Sequence, residues 1–271
     1  MGERSINIRL NRALGQNFLK SAKISRRIVE SASLDPSLTI VEIGVGSGSL
    51  TSILLELGYT VIGFEIDTRF VEGNKRLEGE KCTLRYEDFL KADLSSLPEP
   101  AAYVANIPYY ITSPIIERIM FEGPDFVKAV LMVQKEYADR LIATPRTKEY
   151  GILTVNVNTF ASVSELFQVS RKEFIPQPEV DSMVIELSLL DEPPIERERR
   201  DAYRGFVRQC FSQRRKKLKN NLKGLVDSPE SLLKASEIGL DVRAEELDVE
   251  DFVRLFRNIY PEGGVNPKAG E

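Results

Sequence analysis

The run Leu38-Thr39-Ile40-Val41-Glu42-Ile43 passes directly into Gly44-Val45-Gly46-Ser47-Gly48, and beyond it Leu50, Ile53, Leu54 and Leu57 recur at helical spacing. β-Branched content marks the first part as a strand, and the period of the last part marks a helix. The glycines between them permit a tight turn and let a ligand approach the backbone. Strand, glycine turn and helix in that order form one βα unit, which alone is a weak signal. It is the alternation of strands and helices over 39–190 that indicates a parallel doubly wound sheet. The loop is not a dinucleotide fingerprint. Its third glycine falls one residue too early for G-x-G-x-x-G, and the Lys-Ser/Thr ending of a P-loop is missing.

The same alternation continues. Strands are expected at 60–65, 82–86, 101–105 and 129–133, with helices at 21–33 and from about 135 to 143. The 60–65 strand ends in Glu65, 21 residues beyond Gly44, which suits a carboxylate accepting from both hydroxyls of a ribose. After the next strand, Asp88 fits either an acceptor for an adenine amino group or, more commonly for a lone Asp there, a turn residue. The 101–105 strand delivers Asn106-Ile107-Pro108-Tyr109-Tyr110, and Thr112-Ser113-Pro114 then opens a helix. An amide, a proline and two aromatics therefore stand at a strand's C-terminal end, where open α/β sheets bind ligands.

Residues 152–161 fit a helix or a strand. Strands at 166–169 and 183–187 flank Phe174-Ile175-Pro176-Gln177-Pro178-Glu179-Val180-Asp181-Ser182, a loop stiffened by two prolines that either fixes the Phe174 ring or, the commoner case for such a residue alone, packs it underneath. This last pair is joined by a loop rather than a helix, which implies an antiparallel edge. Asp191-Glu192-Pro193-Pro194 reads as a boundary. The expected organisation is a sheet domain over 1–190, a helical domain over 191–260 and a disordered tail over 261–271. In the helical part, 195–223 reads as one long basic helix or two. Shorter helices are expected near 229–237, 243–246 and 248–258, around Leu232, Leu233, Ile238, Leu240, Phe252, Leu255 and Phe256.

The chain contains no histidine and only two cysteines, Cys82 and Cys210. Imidazole catalysis, histidine-ligated metal and a cysteine-rich zinc site are thereby excluded. Both thiols are expected to be buried apolar residues rather than a disulfide. No apolar run is of membrane-spanning length, and the charged N-terminus lacks a signal peptide's apolar core, so the expected compartment is the cytoplasm. The net charge of −4 is unevenly spread. Residues 197–223 carry eleven Lys/Arg against Glu198 and Asp201, and 1–30 carry seven against Glu3 and Glu30, a hint of an anionic partner.

Asn106-Ile107-Pro108-Tyr109 offers one chemistry that needs neither imidazole nor metal. The amino nitrogen of adenine is a poor nucleophile because its lone pair is delocalised. Acceptors aimed at its hydrogens, the Asn106 amide oxygen and the Pro108 carbonyl, favour the tetrahedral nitrogen needed for alkylation. Tyr109 can stack on the base and face the charge that develops.

Asn-Ile-Pro-Tyr resembles motif IV of S-adenosylmethionine-dependent amino-methyltransferases. Four further runs narrow the family: Gly15-Gln16-Asn17-Phe18-Leu19, the Glu42 to Gly48 loop, Phe174-x-Pro-x-Pro-x-Val-Asp-Ser182, and Phe211-Ser212-Gln213-Arg214-Arg215-Lys216-Lys217-Leu218 with Asn220 and Leu222. Together they resemble the KsgA-type small-subunit ribosomal RNA adenine N6,N6-dimethyltransferases over nearly the whole chain. The resemblance implies a class I methyltransferase fold, Rossmann-like, with a mostly parallel sheet and an antiparallel edge strand, followed by a small all-α domain.

It also implies roles. Asn17 and Leu19 would contact the methionine end of S-adenosylmethionine, and Gly44 and Gly46 would let the loop approach it. Glu65 would bind the ribose, Ile66 would pack on the adenine, and Asp88 and Phe89 would read its edge. Asn106 would stand between donor and acceptor with Pro108, while Tyr109 and Phe174 sandwich the target base. Arg208, Arg214, Arg215, Lys216, Lys217 and Lys219 would grip RNA phosphates. The implied substrate is a pair of adjacent adenosines in the 3′-terminal hairpin loop of small-subunit rRNA, within a pre-ribosomal particle. No metal and no membrane enter, and nothing demands more than a monomer. The rival readings are a resistance-type large-subunit rRNA methyltransferase, a DNA amino-methyltransferase, disfavoured by the missing target-recognition domain, and a non-catalytic ribosome assembly factor.

Overall fold

The computed structural model describes residues 16–261 of the 271-residue chain. Gly15 and the expected tail beyond Pro261 lie outside the described residues.

The strands, in chain order, are β1 (Phe18–Leu19), β2 (Thr39–Ile43), β3 (Thr60–Phe64), β4 (Cys82–Arg85), β5 (Ala101–Asn106), β6 (Phe126–Gln134), β7 (Ala161–Val169), β8 (Phe174–Ile175) and β9 (Ser182–Leu189). Seven of them form one sheet in the order β4-β3-β2-β5-β6-β9-β7. Pairs β4–β3, β3–β2, β2–β5 and β5–β6 are parallel, and β9 runs antiparallel to β6. β5 shows why the pattern was legible. Its first five residues, Ala101 to Ala105, are all completely buried, as expected of a central parallel strand covered on both faces. Helices Ala22–Ser31, Ser49–Glu56 and Thr112–Phe121 carry apolar faces, with Ile28, Val29, Leu50, Ile53, Leu54, Ile115, Ile116 and Ile119 buried. β1 and β8 make a separate two-stranded antiparallel sheet.

The chain divides into two units. One comprises the residues up to Ala138 together with Val163–Leu189, and the other comprises Asp139–Ser162 with everything from Leu190. The expected boundary at 190 falls where the second unit resumes, but 139–162 groups with the helices, not with the sheet. The ambiguous stretch 152–161 is a helix over Ile152–Asn158, and β7 starts at Ala161. Buried Leu153, Val157 and Phe160 supply apolar surface to the helical unit, where the Phe160 ring meets Tyr203 edge-on at 5.7 Å. Tyr203, Phe206 and Phe256 complete an aromatic cluster. Of the seven expected core residues, Leu233, Ile238, Phe252, Leu255 and Phe256 are buried, and Leu232 and Leu240 are half-buried.

The basic segment is two helices, Arg200–Cys210 and Leu218–Leu222, with a turn between them. Arg214, Arg215, Lys216 and Lys217 thus stand on a turn and not on a helix. Asn221 takes over the end of the first helix. Its Nδ2 donates to the Cys210 carbonyl at 2.6 Å, and its own carbonyl accepts from Gln209 Nε2 at 2.8 Å. Cys82 and Cys210 are both buried and free. No helix among the described residues is long and apolar enough to cross a membrane.

Candidate active site

The C-terminal ends of β2, β3, β4 and β5 open into one cavity. It is lined by Asn17 and Leu19 from β1 and its approach, Gly44 and Gly46 after β2, Glu65 and Ile66 after β3, Asp88 and Phe89 after β4, and Asn106, Pro108 and Tyr109 after β5. All nine residues expected to bind the donor are in that wall, with two further residues of the acceptor motif.

The glycine turn is shaped by close approach. Gly46 has φ +54°, and a Cβ added there would lie 3.1 Å from the Phe18 ring. Its N–H donates to Glu65 Oε2 at 2.6 Å, and Asp67 N–H donates to Glu65 Oε1 at 2.7 Å. Glu65 is thus fixed at the sheet edge, each oxygen keeping a lone pair for a further donor. Burial raises its pKa above the ordinary carboxylate value, against those two bonds. Beneath the turn, Glu42 is completely enclosed and accepts from Thr51 Oγ1 at 2.6 Å. Burial pushes its pKa up to about 8, with the Glu65 charge adding to the rise and the Thr51 bond opposing it.

Asp67 caps the short turn that follows β3, accepting from Arg69 N–H. It also accepts from Gln16 Nε2 at 2.7 Å, which fastens the segment before β1 to the end of β3. The Arg69 guanidinium beside Asp67 holds its pKa down at about 2, with the Gln16 bond helping. Asp88 spends Oδ1 on the N–H of Leu90 at 3.0 Å. The turn after β4 thus uses one oxygen of this carboxylate. Phe89 is buried edge-on to Phe64 at 5.2 Å, whereas Ile66 is 49 % exposed at the cavity wall.

In the acceptor motif, Asn106 Nδ2 donates to the Asn17 carbonyl at 3.1 Å. The amide is thereby oriented, leaving Oδ1 as an acceptor. The Pro108 carbonyl accepts from Ile111 N–H at 3.2 Å and retains its second lone pair. Tyr109 is half-buried, and its hydroxyl lies 2.6 Å from Ser182 Oγ.

Phe174 is the exception. Its side chain is completely buried in the apolar cluster with Ile28, Val169 and Val184 and does not line the cavity. The cause is register. β1 and β8 pair Leu19 with Phe174 and Phe18 with Ile175. Neighbouring strand residues point to opposite faces, so Phe174 enters the core and Ile175 is left 52 % exposed. The expected second wall of a base sandwich is not formed in this structure.

The basic residues divide as well. Arg214 pairs with Glu245 at 2.7 Å and donates to the Lys148 carbonyl. Lys217 pairs with Asp241 at 2.8 Å, and Lys219 reaches Glu230 at 3.8 Å. Arg208, Arg215 and Lys216 are exposed, with no ion-pair partner among the described residues. Sequence reading does not single out Gln16, Phe18 or Ser182. Each lies inside one of the family-like runs, but their contacts span 28 to 73 residues of sequence and only folding brings them together.

Strand order, the antiparallel β9, the glycine turn and the carboxylate after β3 define a class I S-adenosylmethionine-dependent methyltransferase. The model of the family described as "Ribosomal RNA adenine dimethylase" matches residues 7–260, and the chain belongs to that family. The ribosomal RNA small subunit methyltransferase A of Thermotoga neapolitana is 42% identical over 263 residues, spanning 93% of this chain and 92% of the relative. The protein of the same name from Clostridium acetobutylicum is 39% identical over 262 residues, 94% of this chain and 95% of its own. Among solved structures, a dimethyladenosine transferase from Plasmodium falciparum superimposes with TM-score 0.74 at 29% identity, over 89% of this chain and 98% of that one. The 23S rRNA methyltransferase ErmE gives TM-score 0.67 at 31% identity, over 89% of this chain and 99% of its own.

Proposed function

We propose that the chain transfers methyl groups from S-adenosylmethionine to N6 of two adjacent adenosines in the 3′-terminal hairpin loop of small-subunit rRNA, giving N6,N6-dimethyladenosines. The observation that carries this reading is the oriented Asn106 amide at the end of β5, beside the cavity that the donor motifs line. Membership of the adenine dimethylase family and relatives named for the small subunit support the substrate. A large-subunit substrate is less well supported. ErmE shares the fold at 31% identity, against 42% for the Thermotoga relative.

When bound, the donor supplies a methyl group on a sulfonium, a good leaving group. Glu65, Asp88, Ile66 and the backbone at Gly44 and Gly46 hold it. Asn106 Oδ1 and the Pro108 carbonyl accept from the adenine amino group and favour a tetrahedral nitrogen, with the acceptors fixed beforehand. Tyr109 stacks on the base, and positioning accounts for much of the rate. Unstacked loop bases are what sequence-specific RNA readers use, and a base must leave its stack to reach such a pocket. Arg208, Arg215 and Lys216 grip phosphates, joined by Arg214, Lys217 and Lys219 where RNA displaces their acids. The chain acts as a monomer on a pre-ribosomal small subunit in the cytoplasm.

The test offers labelled donor with immature small subunits, large subunits and DNA side by side. Dimethyladenosine in small-subunit rRNA alone is expected by mass spectrometry. Unmodified adenosine there would sink the proposal, and label in the large subunit would transfer the reading to that substrate.

A further inference from the structure

The Phe174-to-Ser182 run does not place its phenylalanine at the cavity, yet its other end reaches the acceptor motif. Ser182 is the first residue of β9 and stands opposite Gln134 at the end of β6. It is completely buried, and its hydroxyl lies 2.6 Å from that of Tyr109. No other hydrogen bond of this hydroxyl occurs among the described residues. The neighbouring Asp181 anchors the same end of the loop. Its carboxylate accepts from Arg171 N–H and from Gln168 Nε2, both at 2.8 Å, and its carbonyl accepts from Lys135 N–H at 3.0 Å. Ser182 is therefore held by the strand ladder and by the neck of the loop, and it holds Tyr109 in turn.

We infer that Ser182 is a positioning residue for the acceptor nucleotide: its bond to the Tyr109 hydroxyl sets the ring against which the target base lies. This rests on the proposed adenine substrate. Tyr109 belongs to the short helical turn Tyr109–Ile111 and is only half-buried. Packing alone leaves the ring freedom that stacking would remove, and a hydroxyl anchored on a buried strand removes it beforehand. Burial raises the phenol's pKa above its ordinary value, and the Ser182 bond opposes that rise. The bland alternative is that Ser182 only satisfies a partly buried phenol and contributes to folding.

The two roles separate in a double-mutant cycle of Ser182→Ala and Tyr109→Phe, assayed for methyl transfer to the RNA particle, for donor affinity by calorimetry, and by NMR of 13Cζ-labelled tyrosine. If Ser182 acts through Tyr109, each single change lowers kcat/KM for RNA by about fivefold, the usual worth of one such bond, and the double variant is no worse than either. Donor affinity stays within about twofold under the same additivity rule, because Ser182 is outside the donor wall. The Tyr109 Cζ resonance shifts in Ser182→Ala. Losses that multiply in the double variant, an unchanged kcat/KM, or donor affinity falling in step would each overturn the inference. Should Ser182→Ala not fold, Tyr109→Phe removes the bond from the other side while keeping the ring, and full activity in that variant is equally fatal. A wild-type chain that methylates no RNA would refute the substrate reading and this inference together, whereas an active wild type with a silent cycle refutes the inference alone.

Discussion

Gly46, Glu65, Asp88 and Asn106 come from four different strand ends and converge on one cavity. Arg214, Lys217 and Lys219, near neighbours in sequence, are drawn to three different acids of their own unit. The contrast lies in what aims each side chain. A parallel sheet brings its C-terminal strand ends to one edge, so residues distant in sequence meet because the backbone leaves them no alternative. Long cationic side chains on a turn are aimed by whatever acid lies within reach. Adjacency in sequence therefore says less about a shared task than a common position at strand ends does.

The largest effect is expected at the sheet edge. Asn106→Ala should lower methyl transfer by about 10²- to 10³-fold, the range for removing one preorganised polar group. Donor binding should stay measurable by calorimetry. Wild-type turnover in this variant would show that the converging residues are not the working ones. A middling effect is expected on the turn. Reversing Arg215 and Lys216 to Glu should weaken RNA binding and reduce the slope of log affinity against log salt by about two, one for each phosphate no longer neutralised. Reversing Arg214 and Lys217 should change the slope less, since both already spend their charge on Glu245 and Asp241. Equal slopes for the two pairs would mean that the internal ion pairs open on RNA.

A third effect, on stability rather than on binding or turnover, concerns Glu42. Its carboxyl stays protonated in the fold up to about pH 8, whereas in the unfolded chain it ionises near its ordinary 4.5. Between these values the folded state binds the extra proton, so this residue's contribution is full below 4.5 and is lost as pH rises towards 8. Glu42→Gln should match the wild type in thermal stability at pH 5 and exceed it at pH 8. A constant difference across that window would show that Glu42 is charged in the fold.

The sheet was readable because its signals are local. β-Branched runs, a glycine turn and a proline at a helix start each act within a few residues, and the strands at 39–43, 60–64 and 101–106 fall close to their expected places. The cavity residues that follow β2 to β5 were readable for the same reason, whereas Asn17 and Leu19 were named only by the family resemblance, since no strand is expected at 18–19. Phe174 packs beneath its loop, as a residue read alone suggests, and not at the base as the family resemblance implies, because two residues of β8 pair with two residues of β1, a register set 155 residues away. The 211–217 run looked helical by composition, but a side chain beyond it, Asn221, fixes where the helix ends.

By itself the sequence determined a mostly parallel sheet with an antiparallel edge strand, a helical second unit, a histidine-free chemistry and the four strand ends that build the cavity. Tertiary structure alone decided that 139–162 belongs with the helices, that Phe174 faces the core, that three of six cations are spent internally, and that Ser182 reaches Tyr109 across 73 residues of sequence. The physical reason is range. Propensity, capping and turn chemistry act over a few residues, whereas register, burial and ion pairing depend on which distant groups the chain brings within a few ångströms.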